Sequence, residues 1–171
     1  MIKKLKNNLT GEKTPFLTIV EYGRVGNSLR FKFTCSDSKL FSAYSEHNEP
    51  IYRGDVVEVF ICTGKDISEY YELEVAPNGA TFFAKVKNKN GLHLTFLDKT
   101  FTSNVEITEK GYDVEIIIPF KSIEVGEEPI RFNAYRIETE GGHENLHLLA
   151  LNPTMQPLFH VPEKFIPFPM D

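Results

Sequence analysis

Asp55-Val-Val-Glu-Val-Phe-Ile-Cys62 and Tyr70-Tyr-Glu-Leu-Glu-Val-Ala76 carry the deciding pattern of this 171-residue chain. Successive side chains of a strand point to opposite faces of a sheet. Read with that period, Val57, Val59 and Ile61 fall on one side of the first stretch, and Val56, Glu58 and Phe60 on the other. In the second stretch Tyr71, Leu73 and Val75 form an apolar side, with Tyr70, Glu72 and Glu74 opposite. The apolar sets read as core. The acidic and aromatic sets then lie on the other side of the sheet. Carboxylates mixed with aromatic rings suit a polyhydroxylated ligand, which needs acceptors for its hydroxyls and flat walls for its rings. They suit an ordinary solvent-facing sheet surface equally well.

The same character recurs at residues 16–22, 29–35, 40–44, 81–86, 92–97, 105–108, 112–118, 130–138 and 146–151. Fourteen Phe and seven Tyr, with no Trp, favour strands over helices. Asn78-Gly79 and Asn90-Gly91 sit between such runs, and Asn-Gly supplies the two positive φ angles of a tight hairpin turn. Strands this short and this regularly spaced predict an all-β fold, an antiparallel β-sandwich of jelly-roll type with very little helix. Only residues 119–123, led by Pro119, suggest a helical turn. Val57, Val59, Leu73, Val75, Ile116 and Ile118 are expected to be buried. Residues 1–171 read as a single domain, with 1–13 a loose N-terminal segment and the Pro-rich tail after Leu158 extended over the surface.

Composition excludes several functions. The net charge is −5, and Lys3, Lys4 and Lys6 form the only basic cluster, so neither nucleic acid nor a membrane surface is an expected partner. No apolar run is long enough to span a bilayer, and no apolar h-region follows the basic start, so the expected location is cytoplasmic. Cys35 and Cys62 each lie in an apolar run and read as reduced, buried thiols. There is no phosphate-binding Gly-rich loop and no nucleophile elbow. His143 and His147 have a zinc spacing only on a helix, which Gly141-Gly142 opposes. Glu72 and Glu74, roughly 7 Å apart along one strand face, fall within the range of glycosidase carboxylate pairs, but alternate Glu residues are also ordinary on exposed strands. Missing nucleophile motifs and abundant aromatics favour binding over catalysis, so the chain is not expected to be an enzyme.

Asn48-Glu-Pro-Ile-Tyr-Arg-Gly-Asp-Val-Val-Glu-Val-Phe-Ile61 resembles the pattern of carbohydrate-binding module family 9 (CBM9), part of the DOMON-like superfamily: an aromatic, a short gap, then Asp-x-Val-Glu-hydrophobic-Phe. Tyr70-Tyr-Glu-Leu-Glu-Val-Ala-Pro-Asn-Gly79, Gly111-Tyr-Asp-Val-Glu-Ile-Ile-Ile-Pro-Phe120, Arg131-Phe-Asn-Ala-Tyr-Arg136 and Phe159-His-Val-Pro-Glu-Lys-Phe165 follow in the family's order. The resemblance implies a non-catalytic domain that grips a saccharide chain end between two aromatic walls. Tyr52 and Phe159 stand where the family has tryptophans, Glu58 is the motif's acid, and Glu74 occupies a position often held by Arg. His160, beside Phe159, completes the implied ligand-binding set. No Asp-rich loop matches the family's structural calcium, so no cofactor is expected. Met155 with His160 keeps open the haem ligation of related domains. The alternative reading is a structural or protein-interaction sandwich that has lost sugar binding.

Overall fold

A computed structural model describes residues 1–142 and 144–170. Among the described residues thirteen strands run in chain order: β1 (Ile2–Lys4), β2 (Lys6–Asn7), β3 (Thr18–Val25), β4 (Ser28–Ser36), β5 (Val56–Cys62), β6 (Glu69–Val75), β7 (Thr81–Asn88), β8 (Leu92–Phe96), β9 (Thr102–Thr108), β10 (Gly111–Pro119), β11 (Arg131–Glu138), β12 (His147–Ala150) and β13 (Ile166–Pro167). Helix is confined to three single 3-10 turns, Ile51–Arg53, Phe120–Ser122 and Pro162–Lys164, among the described residues. The strands form two sheets with antiparallel pairing throughout. One has the order β1-β3-β4-β10-β9; the other is β2-β12-β11-β5-β6-β7-β8, with β13 beside the start of β11. The chain is an antiparallel β-sandwich, as its periodicity implies.

The main core lies between the sheets. Val57 faces Val75 and Val59 faces Leu73 across β5 and β6, while Ile116 faces Phe31 and Ile118 faces Leu29 across β10 and β4. All eight are buried. Cys35 belongs to this core and Cys62 lies in a second one; both are free thiols.

That second core corrects the reading of the outer sheet face. Val56, Phe60, Cys62, Tyr70 and Tyr135 point away from the sandwich interior, yet they are buried. Ile51, Phe159 and Phe165, from the segments before β5 and after β12, lie over them. The reason is apolar area: Val56 to Cys62 holds one polar residue, Glu58, so neither of its faces tolerates water. Asp55 fastens the first covering segment. Its Oδ2 accepts the Phe41 N–H at 2.6 Å, and its Oδ1 accepts the N–H and hydroxyl of Thr139 at 2.8 and 2.7 Å.

Residues 1–13 are not loose. β1 pairs with β3 and β2 with β12, so one short segment closes an edge of each sheet, and Leu5 between them is buried. Asn8 is fully buried: its amide donates to Thr154 Oγ1 and Gln156 O, both at 2.8 Å, and its Oδ1 accepts the Thr154 N–H at 2.9 Å. Lys-rich strands of two or three residues carry no readable alternation, which is why the sequence conceals them. Asn8→Ala should cost about 2–3 kcal/mol, because the buried groups of the 154–158 segment lose their partner. Chemical denaturation measures this, and limited proteolysis should move its first cut into residues 151–160.

Candidate functional site

Strand pairing sets Glu58 on β5 directly opposite Glu74 on β6, and Glu72 follows two residues back along β6 on the same face. One carboxylate oxygen from each of the three lies within 4.8 Å of the others. Glu58, Glu72 and Glu74 are 2%, 6% and 0% exposed. No donor from outside the cluster reaches either oxygen of Glu74, nor Oε2 of Glu72. Burial, reinforced by the mutual repulsion of Glu58, Glu72 and Glu74, pushes the Glu58 and Glu74 carboxyls well above the usual range. Burial lifts Glu72 to about 7, against a lowering by its hydrogen bond with Glu74.

The cover over this cluster is held by specific contacts. Phe159 stacks on Tyr135 with ring centroids 4.2 Å apart, and its carbonyl accepts the Tyr135 hydroxyl at 3.2 Å. His160 Nδ1 is 2.7 Å from the Tyr70 hydroxyl, and its Nε2 is 4.0 Å from Glu72 Oε1. Desolvation holds the imidazole down at about 4, so at neutral pH it is uncharged and does not neutralise the carboxylates. Phe60 packs 5.0 Å from the same imidazole.

Tyr52 lies elsewhere. It sits on the Ile51–Arg53 turn, 43% exposed, in an open depression of about 450 Å³ lined by Phe41, Ala43, Tyr44, Tyr52, Arg53 and Leu146. None of Glu58, Glu74, Phe159 or His160 lines it. The five expected site residues therefore divide into two places. Tyr52 offers an accessible ring, whereas Glu58 and Glu74 lie beneath the cover and His160, on the covering segment, stands at its rim. Phe159 corrects the expected second wall: at 6% exposure its ring fills the second core and presents no open face. Of the paired histidines, His143 lies outside the described residues, and His147 Nε2 contacts Glu140 at 2.9 Å.

No protein-family model matches the chain. Among solved structures, a Bacteroides uniformis protein provisionally assigned as carbohydrate-binding superposes on 100% of this chain and 86% of its own, with a TM-score of 0.83 at 14% identity. A family 9 carbohydrate-binding module from Caldicellulosiruptor kristjanssonii in complex with glucose covers 99% of this chain and 84% of its own, at TM-score 0.69 and 16% identity. The fold is that of carbohydrate-binding module family 9. The same organism's family 9 module in complex with cellotriose also matches, at TM-score 0.64 over 88% of this chain and 72% of its own. By sequence, an "Extracellular protein" of Arthroderma benhamiae is 39% identical over 82 residues, which is 45% of this chain and 37% of that relative. The chain thus spans little more than a third of that relative's length.

On this family 9 fold, two groups escaped the sequence reading. Arg136 is wholly buried at one end of the main core, on the same face of β11 as Phe132 and Ala134. Its guanidinium donates to Thr18 Oγ1 and Ser36 O, both at 3.0 Å, to Asp37 at 3.2 Å and to Glu138. A lone Arg in step with core residues is the signal that marks it. Tyr44 and Arg53, the polar company of Tyr52, are the second: residues 40–44, expected as a strand, form none, and Arg53 sits inside the quoted family motif without a role assigned to it.

Proposed function

We propose that the protein is a non-catalytic carbohydrate-binding domain and that the depression beside Tyr52 is its sugar-facing surface. The observation that carries this reading is an accessible aromatic ring, flanked by Tyr44 and Arg53, on a fold shared with modules solved with glucose and cellotriose. Tyr52 supplies a flat apolar face for a pyranose ring, and the Arg53 guanidinium supplies donors to sugar oxygens. A single stacked ring adds on the order of 1 kcal/mol beyond area burial, so affinity is modest.

Calorimetric titration with glucose, cellobiose, cellotriose and xylo-oligosaccharides tests the proposal. Binding of one of these is expected, and Tyr52→Ala should weaken it about tenfold, the equivalent of 1.4 kcal/mol. Unfolding should stay within about 0.5 kcal/mol of the parent, since the side chain is exposed. Binding unaffected by Tyr52→Ala refutes the assigned surface. The burial of Phe159 and of the three glutamates favours the second reading, a structural or protein-interaction sandwich without sugar binding. That reading predicts no heat with any saccharide.

A further inference from the structure

The Glu58, Glu72 and Glu74 cluster has no explanation in the depression beside Tyr52, and it lies under a cover that excludes bulk water. Glu74 is fully buried and no group outside the cluster bonds either of its oxygens, and Glu72 Oε2 is likewise buried without a partner from outside. Buried polar atoms in folded proteins find partners almost without exception, so an orphaned carboxylate calls for one. No Lys or Arg pairs with the three among the described residues; the one basic group nearby is His160, whose Nε2 is 4.0 Å from Glu72 Oε1.

His160 has a second feature. Its other ring nitrogen, Nδ1, is held 2.7 Å from the Tyr70 hydroxyl, and Asn88 Nδ2 braces both partners, donating to His160 O at 3.1 Å and to Tyr70 Oη at 3.4 Å. An imidazole fixed through one nitrogen, with the other turned toward carboxylates, is the outer support that metal-ligating histidines receive. With its side chain 26% exposed, His160 also marks the rim by which an ion would enter.

We propose that Glu58, Glu72, Glu74 and His160 Nε2 form a binding site for one divalent transition-metal ion of the Mn²⁺ or Zn²⁺ class. Three carboxylate oxygens with one imidazole nitrogen match that class; Ca²⁺ and Mg²⁺ favour all-oxygen sets. Ligands about 2.1 Å from a tetrahedral centre are roughly 3.4 Å apart. The three carboxylate oxygens, now within 4.8 Å of one another, need to close by up to about 1.4 Å, and His160 Nε2, outside that group but 4.0 Å from Glu72 Oε1, has to swing inward with them. A dication offers every orphaned oxygen a partner and displaces the protons that burial keeps on these carboxyls, leaving three ionised carboxylates and the ion at a net −1. The role is structural: an ion here would join β5, β6 and the covering segment that carries Phe159 and His160.

The test uses the full chain, stripped with a chelator and then titrated separately with MnCl₂, ZnCl₂, CaCl₂ and MgCl₂. Mn²⁺ or Zn²⁺ is expected to bind at one equivalent. A hundredfold excess over Kd should raise Tm by roughly 5–10 °C. The Mn²⁺ electron paramagnetic resonance signal should fall as ion is taken up. Glu74→Gln should abolish uptake, and His160→Asn should weaken it at least tenfold. Should Glu74→Gln fail to fold, His160→Asn at the rim carries the test alone. No uptake of either ion, a response to Ca²⁺ alone, or equal binding by the parent and His160→Asn overturns the proposal. Saccharide titration of the stripped protein is a separate readout, so failure here leaves the Tyr52 surface to stand or fall independently.

Discussion

Arg136→Leu should destabilise the protein by about 3–5 kcal/mol, the usual cost of removing one partner from a buried ion pair. Its guanidinium spans both layers: it sits on β11 of one sheet and donates to Thr18 and Ser36, which belong to β3 and β4 of the other. Asp37 and Glu138, whose side chains are 1% and 2% exposed, would then be left as buried charges without a counterion. The Tyr112 ring, 5.4 Å from the guanidinium carbon, would lose its cation as well. Thermal unfolding should show a drop in Tm of roughly 10 °C or more. Arg136→Lys should recover little, because a point charge does not reproduce a planar fork shared among four acceptors. Adding Glu138→Gln to Arg136→Leu should restore part of the loss by deleting one stranded charge. A single-variant loss below about 1 kcal/mol contradicts this account.

Phe132→Ala should cost a comparable 3–5 kcal/mol for a different reason. Phe132 is fully buried on β11, with ring centroids 4.8 Å from Tyr22, 5.1 Å from Phe168 and 5.6 Å from Phe31. Truncation removes the ring on which three others converge, and strands on both sides cannot collapse into the gap without breaking register. Phe132→Leu should cost appreciably less, since most of the volume is kept. Urea denaturation should show a lowered midpoint with an unchanged slope. Equal losses for Ala and Leu would point to ring-specific contacts rather than to the cavity.

The sandwich was legible because strand periodicity acts directly on the side chains. Val57, Val59, Leu73 and Val75 alternate with residues that cannot share their face, and a one-residue slip would expose them all. Periodicity says which residues share a face, but not what covers that face. Hence Glu58, Glu72 and Glu74 were correctly grouped, while their burial beneath Phe159 and Phe165 depended on segments distant in sequence. Phe60 and Cys62, standing beside Glu58 on the outer face, were the available warning. The resemblance likewise carried position without environment. It placed an aromatic at both Tyr52 and Phe159, and packing exposed the first and buried the second. Arg136 lay in a quoted segment, yet its partners on β3, β4 and the following turn are about a hundred residues away.

The closing of both sheets by the first eight residues has a consequence during synthesis. Asn8 bonds to Thr154, 146 positions later. At about 5–20 residues per second, the ribosome takes roughly 7–30 s to deliver that partner. Through that interval β2 has no β12 to join, and its own edge stays unpaired. Contacts this distant also slow the final closure, because the loop entropy is lost before any pairing is gained. Closure of this sandwich thus waits on the synthesis of β12, and the length of that wait is set by ribosome speed.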